Sequence, residues 1–225
     1  MGNNLSIFFF LFVCSAFSAC GQSAANSEGI TKLTNAKPMS TNPVLETATF
    51  GAGCFWCVEA QFESLDGVLS VESGYSGGTV KNPSYKEVCN GTTGHAEVCN
   101  VVYDTTKISF DELLLAFWGC HDPTQLNRQG NDQGTQYRSV IYYHNEEQKI
   151  KAEFYKQQLN EKNTWGKPVV TEISAYTIFY KAEGYHQGYY ENNGSEGYCQ
   201  FVIKPKLEKF KEVFKDKLKN ASAAE

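Results

Sequence analysis

Residues 47–52, Thr-Ala-Thr-Phe-Gly-Ala, read as a short buried strand that closes on small residues and passes through Gly53-Cys54-Phe55-Trp56-Cys57 into a helix over 58–65, broken at Asp66-Gly67. A cysteine at such a strand-to-helix junction sits beside unpaired backbone N–H groups and the positive end of the helix dipole. That environment favours thiolate over thiol, and the thiolate is the nucleophilic form. A second thiol three residues on captures an oxidised first one as a disulfide. Phe55 and Trp56 place an apolar wall beside the sulfur. The same CxxC spacing also suits a buried structural pair or half of a metal site.

Strand-like and helix-like stretches interleave through one block, so residues 47–219 are expected to form a single domain of α+β type. Residues 68–75 alternate as a strand before the turn Ser76-Gly77-Gly78, and Asn82-Pro83-Ser84 opens a short helix ending before Gly91. Residues 95–103 give the clearest period-two pattern, with Glu97 on the face of Cys99, Val101 and Tyr103. Ser109 and Glu112 form a capping-box start for a helix whose buried stripe is Leu113, Leu114, Phe117 and Trp118. A long polar loop over 124–136 follows, then a strand over 137–143, a charged helix over 145–162, a strand over 169–174 and a short helix over 183–193. Pro205 begins a last amphipathic helix carrying Leu207, Phe210, Val213, Phe214 and Leu218. There is no internal repeat, and the glycines at 74–78 lack the Lys-Ser/Thr of a phosphate loop. A net charge of −5 argues against nucleic-acid or anionic-membrane binding driven by charge.

The first 27 residues carry no charged side chain, and residues 5–13 are apolar except for Ser6. That run is too short to span a bilayer and suits the core of a signal peptide over 1–19. Ser18-Ala19-Cys20-Gly21 resembles a bacterial lipoprotein box with Cys20 as the acylated residue, although Phe17 stands where leucine is usual. The expectation is an exported, lipid-anchored protein of the cell envelope, facing the periplasm or the exterior. Residues 20–46 read as a flexible Ser/Asn/Thr-rich tether and 220–225 as a disordered tail.

Apart from Cys14 and Cys20 the cysteines are Cys54, Cys57, Cys89, Cys99, Cys120 and Cys199. They are too sparse for a disulfide scaffold and suit a few working thiols among inert ones. Cys89, Cys99 and Cys120 sit in apolar elements and are expected to be buried and inert. A carboxylate at Glu97, on an otherwise apolar strand face, is costly without a partner or a task.

Taken together, Gly-Cys-Phe-Trp-Cys at 53–57, Ser-Gly-Tyr-Ser-Gly-Gly at 73–78, Asn-Pro-Ser-Tyr-Lys-Glu-Val-Cys at 82–89, Gly-His-Ala-Glu-Val at 94–98, the loop from His121 to Ser139, Tyr-His-Gln at 185–187 and Gly-Tyr-Cys at 197–199 resemble the A-type peptide methionine sulfoxide reductases. The resemblance implies a ferredoxin-like α/β sandwich core with extra segments. It implies thiol-dependent reduction of the S epimer of methionine sulfoxide in proteins as a repair of oxidative damage, and leaves free methionine sulfoxide open as a second substrate. Cys54 matches the nucleophile, Phe55 and Trp56 the aromatics that hold the S-methyl group, and Glu97 the acid that protonates the oxygen. Tyr85, Asp132 and Tyr137 match hydrogen-bonding groups around that oxygen; His186 falls in a family segment near the pocket. The implied cycle leaves Cys54 as a sulfenic acid, resolved by Cys57 or Cys199 and reset by thioredoxin or a thioredoxin-like donor. No cofactor and no metal are implied, membrane contact is through the N-terminal lipid alone, and the enzyme is expected to act as a monomer. Two other classes compete: a thioredoxin-like disulfide oxidoreductase using Cys54 and Cys57, and a zinc module drawing on Cys89, His95 and Cys99.

Overall fold

The computed structural model describes residues 43–219. The leader, Cys20, the tether up to residue 42 and the tail at 220–225 lie outside the described residues. The elements run β1 (Leu45–Ala52), α1 (Phe55–Glu63), β2 (Val68–Ser76), α2 (Tyr85–Cys89), β3 (Ala96–Asp104), α3 (Phe110–Cys120), β4 (Arg128–Gln129), β5 (Asp132–Gln133), β6 (Ser139–Tyr143), α4 (Glu146–Glu161), β7 (Glu172–Ala175), β8 (Phe179–Lys181), α5 (Tyr189–Asn192) and α6 (Lys204–Val213).

Six strands pair in the order β7-β6-β1-β3-β2-β8. The inner four, with α1 and α3 as their crossovers, give the β-α-β-β-α-β order of the ferredoxin-like fold. The extra segments extend both edges: β7 runs parallel to β6, and β8 antiparallel to β2. Phe50 on β1 fixes the packing of both helices. Its ring lies 5.3 Å from Phe62 of α1 and 5.2 Å from Phe117 of α3, with Phe110 at 6.1 Å. Fully burying each such side chain stabilises the fold by about 1.5–3 kcal/mol.

Local signals place the helix starts. Ser109 accepts from the Glu112 N–H while the Glu112 carboxylate accepts from the Ser109 N–H, and Ser84 and Glu87 repeat the arrangement ahead of α2. Pro83 therefore lies before the cap rather than inside that helix. Helix α1 begins at Phe55, three residues earlier than its apolar spacing suggests, because Cys54 already takes the cap position. Two further expectations need correction. The 124–136 loop holds the β4–β5 ribbon and a 3₁₀ turn over Thr135–Tyr137, so Tyr137 precedes its strand. The 183–193 stretch is two separate turns divided at Gly188, whose left-handed φ of 59° breaks the helix. The strand expected over 169–174 occupies Glu172–Ala175, and β8 is an element the sequence pattern did not reveal.

The C-terminal stripe also differs. Leu207 and Phe210 are buried, but Val213 is 62% exposed because α6 ends there, and Phe214 turns back onto Phe210 at 4.6 Å. Leu218 instead bridges to Leu65 beyond the end of α1. No helix among the described residues is long and apolar enough to cross a membrane.

Candidate active site

The site forms where β1 delivers the chain to α1. Gly53 has φ 95°, and a Cβ there would lie 2.6 Å from that of Gln129, so the β4–β5 ribbon packs against this turn. The turn sets Cys54 at the cap of α1 and Cys57 three residues on, with the Cys57 N–H donating to the Cys54 carbonyl at 3.1 Å. Residues three apart on a helix share a face, and each thiol shifts the proton affinity of the other.

Burial decides the charge of this pair. Cys54 is 6% exposed, and burial followed by the neighbouring Cys57 pushes its thiol well above the usual range. The expectation of a resting thiolate at Cys54 is thus corrected: desolvation outweighs the helix terminus. Cys57 moves the other way, lowered by the hydrogen bond from Cys54 and by Lys206, against its own burial. Of the two thiols, Cys54 therefore holds its proton more tightly than Cys57.

Glu97 sits on β3, in the middle of the sheet, and is 1% exposed. Its Oε2 accepts the Phe55 N–H at 3.1 Å; its Oε1 has no partner among the described residues. Burial, then Cys54, raises its pKa well above the ordinary carboxyl range, and the Phe55 N–H offsets only part of this. At neutral pH Glu97 is a carboxylic acid with one oxygen uncommitted.

An aromatic wall surrounds these groups. The Phe55 ring lies 5.9 Å from Tyr75, 6.4 Å from Tyr85 and 5.1 Å from His186. Trp56 stacks on Tyr189 at 3.7 Å and donates from Nε1 to His186 Nδ1 at 3.1 Å, which leaves the His186 proton on Nε2. Burial raises the Tyr85 and Tyr137 hydroxyls, so both are neutral donors. Tyr137 packs with Cys54, Cys57, Cys199 and Ile203 in one buried cluster. Asp132 joins the site through Tyr198, whose hydroxyl donates to Asp132 Oδ2 at 3.1 Å and is also a hydrogen-bond neighbour of Cys54 and Cys57. Cys199 is fully buried at the head of a π-helical turn (Cys199–Ile203) that runs into α6, and burial raises its thiol.

Tyr198, Tyr189 and Lys206 are site neighbours that the sequence reading did not assign. Tyr198 lies inside the Gly-Tyr-Cys motif and Tyr189 two residues past Tyr-His-Gln; for Lys206 no motif points to the site. Of the cysteines expected to be buried and inert, only Cys99 is fully buried. Cys89 on α2 and Cys120 at the end of α3 are half-buried, since each ends a helix beside a turn. His95 receives the Gly78 N–H and bonds the Val80 carbonyl, and Cys99 donates to the Phe55 carbonyl, so these residues are engaged locally. No group of three or more His, Cys, Asp or Glu residues among the described ones has the arrangement to hold a metal ion.

Comparison with known proteins agrees with this geometry. The family model for peptide methionine sulfoxide reductase matches residues 46–218. The peptide methionine sulfoxide reductase MsrA of Saccharolobus solfataricus is 51% identical over 175 residues, covering 78% of this chain and 98% of its own. Among solved structures, methionine sulfoxide reductase A of Corynebacterium diphtheriae superposes with a TM-score of 0.62 at 38% identity, covering 72% of this chain and 80% of its own. Mxr1 from Saccharomyces cerevisiae in reduced form gives 0.63 at 34% identity, covering 69% and 89%.

Proposed function

The chain belongs to the peptide methionine sulfoxide reductase family, and on that premise we propose how its residues divide the reaction. The enzyme is a peptide-methionine (S)-S-oxide reductase, an oxidoreductase that uses thiols to return methionine sulfoxide to methionine. The disulfide oxidoreductase alternative for Cys54 and Cys57 is not favoured.

One observation carries the assignment of roles: the buried, protonated Glu97, with its uncommitted Oε1, beside Cys54 in an aromatic pocket. Phe55 and Trp56 hold the apolar S-methyl group. Tyr85 and Tyr137 donate to the sulfoxide oxygen, and Asp132 orients Tyr198 over the sulfurs. As Cys54 attacks the substrate sulfur its proton passes to the Cys57 thiolate, and Glu97 gives its own proton to the oxygen. The oxygen ends on Cys54 as a sulfenic acid, and two electrons pass to the substrate sulfur, which leaves as a thioether. Solvent exchange returns a proton to Glu97.

Cys57 then resolves the sulfenic acid. Its place on the same helix face as Cys54 and its lowered pKa support this over Cys199, whose thiol is raised. Cys199, packed in the same cluster, is the next thiol in line. A protein dithiol of the thioredoxin class supplies the two electrons that reopen the disulfide. With dithiothreitol, the separated S epimer is expected to be reduced and the R epimer left intact; inertness towards the S epimer overturns the reading. One equivalent of S epimer without reductant is expected to give a Cys54–Cys57 bridge in peptide mapping. A map lacking it overturns the assignment of Cys57.

Export and acylation at Cys20 are proposed from the uncharged leader and the Ser-Ala-Cys-Gly sequence alone. Intact mass of protein from the membrane fraction is expected to show a lipid-modified Cys20 as the first residue. An unmodified chain retaining residues 1–19 contradicts it.

A further inference from the structure

We propose that Lys206 is a positioning residue for the resolving step: its ammonium group holds the Cys57 sulfur in the anionic form that captures the Cys54 sulfenic acid. The inference rests on the reading that Cys57 is the resolving thiol.

The geometry comes first. Lys206 Nζ lies 3.9 Å from Cys57 Sγ. Lys206 is in the first turn of α6, just after Pro205, and its backbone carbonyl accepts from Gln61 Nε2 at 3.4 Å. Gln61 is buried and stands one helical turn beyond Cys57 on α1, so the lysine is tied to the helix face that carries the thiol. Phe62 and Phe210, 6.5 Å apart, pack the same two helices together. Among the described residues no carboxylate lies within 4.0 Å of the Lys206 ammonium, whereas Lys107, Lys149, Lys181 and Lys217 each have one and Lys151 has two. The thiol is therefore a close acceptor for this cation.

The other groups facing the pair leave Lys206 as the cation that acts on it. Cys54 and the Tyr198 hydroxyl also favour the Cys57 thiolate, and the Asp132 carboxylate opposes it. On the far side Lys206 borders a cleft of about 240 Å³ with Cys120, His121 and Asp122. Burial keeps His121 neutral, with its pKa lowered to about 4, and raises the Cys120 thiol to about 12. Neither adds charge at neutral pH. Cys57 also lies in the first turn of a nine-residue helix, where the backbone dipole favours an anion.

Once the sulfenic acid has formed, this charge matters more. Cys54 then carries S–OH in place of S–H, and Lys206 remains as the fixed positive charge beside the attacking sulfur. Cys57 gives up to solvent the proton it took from Cys54, its thiolate attacks the Cys54 sulfur, the S–S bond forms and the S–O bond breaks. Hydroxide leaves and takes up a proton to become water. Cys57 is oxidised and the sulfenic sulfur reduced, one electron each.

The test follows bridge formation by acid quench and peptide mapping after a single turnover, across pH, in the wild type, Lys206→Met and Lys206→Arg. A nearby opposite charge lowers a pKa by roughly 1–3 units. In Lys206→Met the midpoint of bridge formation is expected to rise by about one unit, with bridge formation up to about tenfold slower at pH values below the wild-type midpoint. Lys206→Arg is expected to restore the wild-type midpoint, which a purely packing role would not require. An unchanged midpoint in Lys206→Met overturns the proposal. Should that variant fail to fold, Lys206→Gln reads the same midpoint with a polar side chain of similar length. If the wild type forms no Cys54–Cys57 bridge, the assignment of Cys57 fails instead, a result the wild-type map alone identifies.

Discussion

Glu97→Gln is expected to lower turnover by about 10²–10⁴, the usual contribution of a positioned general acid. The substitution is well suited to the question because it keeps the fold. An amide oxygen still accepts the Phe55 N–H that Glu97 Oε2 accepts at 3.1 Å, and the amide fills the same buried volume without a charge. The new NH₂ group takes the place of Oε1 and still donates a hydrogen bond to the substrate oxygen. It does not release a proton to it. The loss therefore isolates proton transfer from binding and is expected in the single-turnover rate of methionine formation. In the wild type that rate is expected to fall as pH rises through the raised pKa of Glu97, because the acid form is the active one. Glu97→Gln is expected to lose that descending limb. A rate equal to that of the wild type removes Glu97 from the chemistry.

Cys54→Ser is expected to abolish turnover, leaving no methionine above background. A serine fits the cap position of α1, where Cys54 makes no side-chain cap hydrogen bond, so the circular dichroism spectrum is expected to be unchanged. Its proton, however, is held far more tightly than that of a thiol, and oxygen has no counterpart of the sulfenic acid that stores the transferred oxygen. Burial sharpens the contrast, since a site that already raises a thiol raises an alcohol as well. Methionine release from Cys54→Ser in the presence of dithiothreitol contradicts the assignment of the nucleophile.

The features legible in the sequence were those fixed within a few residues. The Ser109/Glu112 capping box and the Phe117 and Trp118 stripe depend on neighbours in the chain, and both appear in the structure; β3 is also a strand, but it lies inside the sheet and Ala96 to Cys99 are all buried instead of alternating. The ribbon β4–β5 and strand β8 are two and three residues long, and their existence rests on cross-strand partners distant in sequence or across a tight turn. No short window carries that information. The site divides in the same way. Cys54, Phe55, Trp56 and Cys57 lie together because they are adjacent, and Glu97 stands out as a lone acid on an apolar strand. The charge state of the pair was misread because the helix terminus is a local property, whereas burial by Tyr198, Cys199 and Ile203 comes from more than 140 residues away. The same distance kept Lys206 from view: a lysine in a basic, amphipathic last helix looks like any other until α6 is seen to lie against α1.

The most direct test of the account is the ionisation of one carboxyl group. Infrared difference spectroscopy of the resting enzyme at neutral pH, wild type against Glu97→Gln, is expected to show the carbonyl stretch of a protonated carboxylic acid in the wild type and its loss in the variant. A difference spectrum with carboxylate bands alone contradicts the account, because an ionised Glu97 has no proton to give to the sulfoxide oxygen.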